Sequence, residues 1–551
     1  MSVDRSDAGS DGLVEDILRD TWAFYPSQAS QLGLHRYDGH LPDIVPVALS
    51  RRAADVERAL SSLRAIEPDK LSSAKRLDHG VLVSALEKEM FELTELETLR
   101  SNPMEALWHI DVSGYIKRDY APLEQRIEAL TSALSEVPRF LRSLRQGLAS
   151  PPSGPILEAS VEAYRGMVAF YDKDLAGAID GVVSGRLRSE FDRARSGTAR
   201  AVAEFVEHLE SLRDGASGDF ALGEERFLGL LRLGEMVDLP LERLLEIGYE
   251  DLARNRARFL QVANRIDATR SPEEVMSEIA KDHPEAGALI SETGGMLEDI
   301  RRFVVDRDIV SVPSEVRCVT TETPSFMRWA FAALDTPGPY ESKATESYYY
   351  VTPVEEHCSA GQKEEWLSSF NYPALATISV HEAYPGHYVH HLHDKKALSR
   401  MSLVFGAYSF VEGWAHYTEE MMVEEGFGAG DPRSRISQSV EALVRDCRYI
   451  CAIRMHTRGM TVDEATRFFM ENAYMERLPA SKEAMRGTFD PMYLNYTLGK
   501  LMILKLREDV RNERGDAFSL REFHDTFLSF GAPPVPLVRE AMLETPGDGA
   551  L

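Results

Sequence analysis

Two short segments hold the residues best suited to chemistry: His381-Glu-Ala-Tyr-Pro-Gly-His387 and Glu412-Gly-Trp-Ala-His-Tyr-Thr-Glu419. The first has the His-Glu…His order of zinc hydrolases, stretched by two residues. On a regular helix a six-residue step turns about 600°, so His381 and His387 would point roughly 120° apart. Pro385 and Gly386 offer a remedy. Proline lacks the N–H that would bond the carbonyl of His381, and its ring pushes against that turn. Glycine accepts unusual dihedrals. A break at Pro385-Gly386 could bring His387 back beside His381. The rival pair is His387 with His391, at true helical spacing, while His390 and His393 read as surface or supporting residues.

Glu412 follows His381 by thirty-one residues, room for one helix to end and a second to run back alongside. Glu412, His416 and Glu419 share one side of that second helix by four- and seven-residue spacing. Glu412 is the expected third ligand, with Glu419 and His416 as partners that orient the histidines. Glu382 fits a general base. Two histidines, one carboxylate and one open position suit catalytic zinc, so Zn2+ is the expected cofactor.

The surrounding elements read as helices. Leu123, Ile127, Leu130, Leu134, Val137, Leu141 and Leu144 recur at three- and four-residue steps and form one apolar stripe; Leu241, Leu244, Leu245 and Leu252 form another. Pro151-Pro152-Ser153-Gly154-Pro155 reads as a turn between helices. Strand signals are confined to Val316–Thr321 and Ser347–Thr352. A small sheet before the metal-site helix could serve as a substrate platform, which makes Tyr349 a candidate substrate contact. The expected class is mainly α. The expected divisions are a disordered polar tail at 1–12, a helical subdomain at 13–215 and a metal-binding catalytic subdomain at 216–551.

Composition sets outer limits. The 551 residues carry a net charge of −27, which argues against nucleic-acid binding. Four cysteines are too few for a disulfide scaffold, and Cys447 and Cys451 read as buried thiols. The start Met-Ser-Val-Asp-Arg-Ser-Asp lacks a basic region followed by an apolar one, and no run reaches the ~18 apolar residues of a spanning helix. The expectation is a cytoplasmic enzyme with no membrane contact.

At HEAYPGHYVH (381–390) and EGWAHY (412–417) the chain resembles the DUF885 proteins, a mainly bacterial group related to zincin-like metallopeptidases. Their pattern runs His-Glu-Ala-x-Pro-Gly-His-x-x-Gln and later Glu-Gly-Trp-Ala-x-Tyr. YPSQASQLGLHRYDG (25–39), Tyr348–Val351, Arg448…His456 and Tyr496…Gly499-Lys500 resemble other blocks of the family, so the likeness spans most of the chain. The resemblance implies a large helical, zincin-like metallopeptidase fold with a deep cleft. It carries His381, His387 and Glu412 over as metal ligands and Glu382 as base.

The chain also departs from the pattern. His390 replaces Gln, Ala452 and Arg454 stand for Asp and Gly, and Met492 and Tyr493 stand for Gly and Gln. These changes point to a narrower substrate with one essential polar group, for which Arg454 or Arg448 is the expected partner. Tyr496 could donate its hydroxyl to an oxyanion. His456 could do the same or hold substrate, and each could equally be a buried, hydrogen-bonded side chain. Arg448 could grip a carboxylate or form a structural ion pair.

The function expected is hydrolysis of a peptide or amide bond in a short peptide or small molecule, with a homodimer left open. The alternatives are a specialised-metabolism enzyme performing elimination or deacylation on one amino-acid-derived molecule, and a non-catalytic helical binding protein.

Overall fold

A computed structural model describes residues 2–148, 151–179, 184–324, 332–355, 358–547, 549 and 551. The chain is mainly helical and divides into two compact units, residues 1–222 with 337–345, and residues 223–336 with 346–551. The expected boundary after residue 215 thus falls in the connection that precedes the second unit.

The longer helices of the first unit are α1 (Ser2–Phe24), α2 (Pro46–Arg64), α3 (Ser73–Thr94), α4 (Leu123–Gly147), α5 (Gly154–Ala169) and α6 (Gly185–Ser211). Helix α1 covers residues 2–12, where a disordered polar tail was expected; residue 1 lies outside the described residues. In α4 the stripe Ile127, Leu130, Leu134, Val137, Leu141 and Leu144 is buried, and the helix packs on α6, which packs on α5. Each such side chain contributes roughly 1.5–3 kcal/mol on burial.

The second unit contains α7 (Leu241–Ile266), α8 (Leu289–Asp306), α9 (Tyr372–Glu382), α10 (His387–Asp394), α11 (Tyr408–Glu424), α12 (Pro432–Thr457), α13 (Val462–Ala473), α14 (Arg477–Phe489) and α15 (Asn495–Arg514). Its sheet has three strands: β1 (Val319–Glu322), β2 (Ala332–Asp335) and β3 (Tyr348–Val351). β3 lies in the centre, parallel to β1 and antiparallel to β2, with Thr320 opposite Tyr349 and Leu334 opposite Tyr349 on the other side. β3 falls within the second expected segment and β1 overlaps the first, running one residue past it to Glu322; β2 was not expected. Among the described residues no helix is long and apolar enough to cross a membrane.

Helices α11 and α15 pack unusually closely. A Cβ on Gly413 would lie 2.5 Å from Gly499 Cα, and one on Gly499 would lie 1.8 Å from the Ser409 carbonyl oxygen. Glycine at both positions lets the two backbones touch. That contact carries Tyr496 and Lys500 in toward the motif helices.

Candidate metal centre

Helix α9 ends at Glu382 and α10 begins at His387, so the helix breaks at the expected place. Within the break the Gly386 N–H donates to the Val380 carbonyl at 3.0 Å. A Cβ at 386 would stand 1.8 Å from the His381 carbonyl oxygen, so no side chain fits there. The indole N–H of Trp414, fully buried in α11, donates to the Pro385 carbonyl at 3.0 Å. This bond ties the second motif to the kink in the first.

The kink turns His387 back to His381, with ring centroids 4.9 Å apart and planes at 89°. Glu412 faces both: its Oε2 lies 3.4 Å from Nε2 of His381 and 3.4 Å from Nε2 of His387. One donor atom from each of the three residues falls within 4.8 Å of the others. Glu412 Oε2 is buried and makes no hydrogen bond of normal geometry. Nitrogen and oxygen donors bound tetrahedrally at about 2.0–2.2 Å would stand about 3.3–3.6 Å apart, and both histidine–Glu412 separations match that spacing.

A further layer holds these ligands. His381 Nδ1 is 2.7 Å from Glu419 Oε1, leaving Nε2 for the cluster. The other Glu419 oxygen lies 3.2 Å from His416 Nδ1, and Arg445 Nη2 approaches Oε1 at 3.4 Å. Burial pushes the His381 imidazole down, but Glu412 and Glu419 outweigh it and raise it to about 10. Burial likewise raises the Glu412 carboxyl, and the two histidines more than reverse that, holding it well below the usual carboxylate range. The surroundings of the cluster therefore favour a cation, either a proton or a metal ion.

Glu382, beside the cluster in sequence, accepts the Leu334 N–H of β2 at 3.1 Å through Oε2. The unexpected strand thus positions the candidate base. The Tyr496 ring lies 6.4 Å from that of His381, nearly parallel. Guanidinium carbons of Arg448, Arg445 and Arg486 stand 5.1, 5.8 and 5.9 Å from its centroid. Arg448 is paired through two nitrogens with Glu483, both at 2.7 Å, which makes it a structural ion pair at the edge of the site.

Three expected residues are not brought to the cluster. Tyr349 is fully buried in the central strand, with its hydroxyl 3.4 Å from Ser379 Oγ, and has no surface to offer a substrate. Arg454 donates to the Tyr249 hydroxyl at 3.3 Å and covers the ring of Phe468. His456 is buried against Phe227, with Nε2 2.7 Å from the Gly487 carbonyl. Tyr493 is also fully buried, so neither it nor Arg454 supplies the expected substrate contact. His390 and His393 face the Gly531 and Ser311 carbonyls at 3.0 and 2.9 Å, and neither joins the cluster. Sequence reasoning missed the roles of Trp414, Leu334 and Arg445. For Trp414 the available signal was its place inside the second motif.

The model of a family described as bacterial proteins of unknown function, DUF885, matches residues 26–542. The chain belongs to the DUF885 family. Two solved structures share its fold. One is a candidate lipoprotein of unknown function from Shewanella oneidensis, 24% identical, with a TM-score of 0.81 over 97% of this chain and 99% of that one. The other is a candidate lipoprotein from Colwellia psychrerythraea, 17% identical, with a TM-score of 0.81 over 97% of this chain and 98% of that one. At these identities they inform the DUF885 fold alone. No curated protein matches the chain.

Proposed function

We propose that this DUF885 protein is a zinc-dependent hydrolase of peptide or amide bonds, with a zincin-like site. The observation that carries the reading is Glu412 Oε2, buried, without a hydrogen bond and 3.4 Å from two imidazole nitrogens. His381, His387 and Glu412 would hold the ion. Zinc would supply Lewis-acid chemistry, polarising a carbonyl and acidifying water.

The remaining work belongs to side chains. Glu382 takes the proton of the attacking water and returns it to the leaving nitrogen. The Leu334 N–H fixes one of its oxygens and leaves the other to accept that proton. Tyr496 donates its hydroxyl to the oxyanion, its ring held among the guanidiniums of Arg448, Arg445 and Arg486. Glu419 holds His381 in the orientation that turns Nε2 to the ion.

The test combines elemental analysis of protein prepared without chelator with hydrolysis of a dipeptide and acyl-amide library, before and after chelation. We expect about one zinc per chain and turnover that chelation abolishes and zinc restores. Metal content near zero with turnover indifferent to chelation overturns the proposal. A cytoplasmic location goes with this reading. The lipoprotein descriptions of the two similar structures concern those proteins, and cell fractionation decides for this one.

A further inference from the structure

A cavity of about 360 Å³ opens beside His387 and Glu412 in the second unit. It is at the small end of ligand pockets, which run roughly 300–1,000 Å³, and suits a side chain better than a large ligand. Leu334, Leu403 and Val411 give it aliphatic walls. His387, His391 and Asp394 line it from one face of α10, at four- and three-residue steps that span roughly 10 Å of helix. Among the described lining residues there is no lysine or arginine.

Two carboxylates line the cavity. Glu412 is turned to the histidine pair. Asp394 remains, and its Oδ1 is buried without a hydrogen bond. Its nearest charged or titratable neighbours are His390 Nε2 at 3.5 Å and His391 Nδ1 at 3.8 Å. His390 directs that nitrogen to the Gly531 carbonyl, and burial pushes its imidazole down to about 3, so it is neutral and brings no charge. Burial also pushes the Asp394 carboxyl up to about 7, the mark of an acid whose charge finds too little compensation in the protein. A cation entering the cavity would provide it.

We propose that this cavity is a specificity subsite for a substrate side chain with an aliphatic stem and a terminal primary ammonium, the walls taking the stem and Asp394 the charge. The proposal rests on the metal-site reading above, since His387 and Glu412, two of the proposed ligands, also line the cavity. It moves the essential polar contact from Arg454 and Arg448, which the structure engages elsewhere, to a carboxylate.

Hydroxamates anchor on zinc whatever side chain they carry, so they report on the metal centre and on the cavity separately. The zinc-loaded full chain is titrated calorimetrically with the hydroxamates of lysine, of norleucine (the same stem without the nitrogen) and of glycine. The lysine compound should bind at least about tenfold more tightly than the norleucine compound, and Asp394→Asn should reduce that gap to about twofold or less. Equal affinities, a preference for norleucine, or a gap that survives Asp394→Asn overturns the subsite.

Should Asp394→Asn fail to fold, Leu403→Trp supplies the second variant, since it fills the space without altering charge. It should weaken the lysine and norleucine compounds alike and leave the glycine compound unchanged. Unchanged binding of all three overturns the subsite. A protein that takes up no zinc and binds no hydroxamate fails at the metal centre and takes the subsite with it. Zinc uptake with equal affinities fails at the subsite alone.

Discussion

Two clusters of histidine and carboxylate, one taken from each unit, have atoms that face different things. In the first unit His35 lies between Asp38 and Glu341, with Nδ1 3.2 Å from Asp38 Oδ2 and Nε2 2.8 Å from Glu341 Oε2. Its ring stacks on Tyr120 at 3.6 Å, and the Tyr120 hydroxyl donates to Asp38 at 2.7 Å. Each imidazole nitrogen meets its own acceptor, so protons complete this cluster. In the second unit Nε2 of His381 and Nε2 of His387 turn to one oxygen of Glu412, and no hydrogen bond forms. Residue types alone would not separate the two. What separates them is lone pairs converging on a common point, with Glu419 and Arg445 holding the outer side of His381.

The comparison breaks most easily at Glu412. Glu412→Gln should cut zinc content from about one ion per chain to near zero, while His35→Gln should leave it unchanged. Elemental analysis of both variants decides, and loss of zinc in His35→Gln would dissolve the distinction. Glu382→Gln should keep the metal and lower turnover on the order of 10²–10⁴-fold, because glutamine preserves shape but cannot take a proton. Zinc-replete protein with near-normal turnover removes Glu382 from the mechanism. Glu419→Gln acts one layer further out. It should weaken zinc binding by about 10–100-fold, read by competition with a chelator of known affinity. No change there would mean that the break at Pro385-Gly386 alone orients His381.

The parts legible in the sequence were those set by local geometry. The 123–144 stripe follows from a 3.6-residue period, and the kink follows from a proline and a glycine placed where a regular helix fails. The parts that were not legible depend on tertiary neighbours. Strand β2 reads Ala-Ala-Leu-Asp, with no β-branched residue to announce it, and takes its form from pairing with β3. Tyr349 was read as a platform residue from composition, yet the central position of its strand buries it under α9. Arg448, Arg454 and His456 share helix α12, but six residues turn about 600°, which puts Arg454 roughly 120° round from the side that reaches Tyr496, while His456, about 80° round, is held instead by the Gly487 carbonyl. Asp394 gave no signal, since a single aspartate at a helix end becomes notable only once its surroundings are known.

The smallest predicted effect sharpens the comparison from the first unit. Burial pushes the His35 imidazole down, but its bonds to Asp38 and Glu341 outweigh this and raise it above its ordinary value. A raised imidazole stabilises the fold fully below its unfolded value near 6.5, and the contribution is lost as pH rises through the folded value. The Glu341 carboxyl is shifted the other way: burial raises it, and His35 with the Lys343 and Ala344 amides more than reverses that. Its contribution is present above an unfolded value near 4.3 and lost as pH falls through the folded one. The pair is therefore strongest between about pH 4.5 and 6.5. Because His35 is partly solvated, the pair is worth about 1 kcal/mol, or roughly fivefold in a local opening equilibrium. Glu341 Oε1 accepts the Ser342 and Lys343 amides, both at 2.7 Å, so those amides report that opening. In His35→Gln their hydrogen-exchange protection factors should fall about fivefold at pH 6, with the gap to the unmodified chain closing by pH 9. A gap that stays constant or widens with pH would show His35 acting as a neutral spacer, and the first cluster would then not be the proton-filled counterpart of the second.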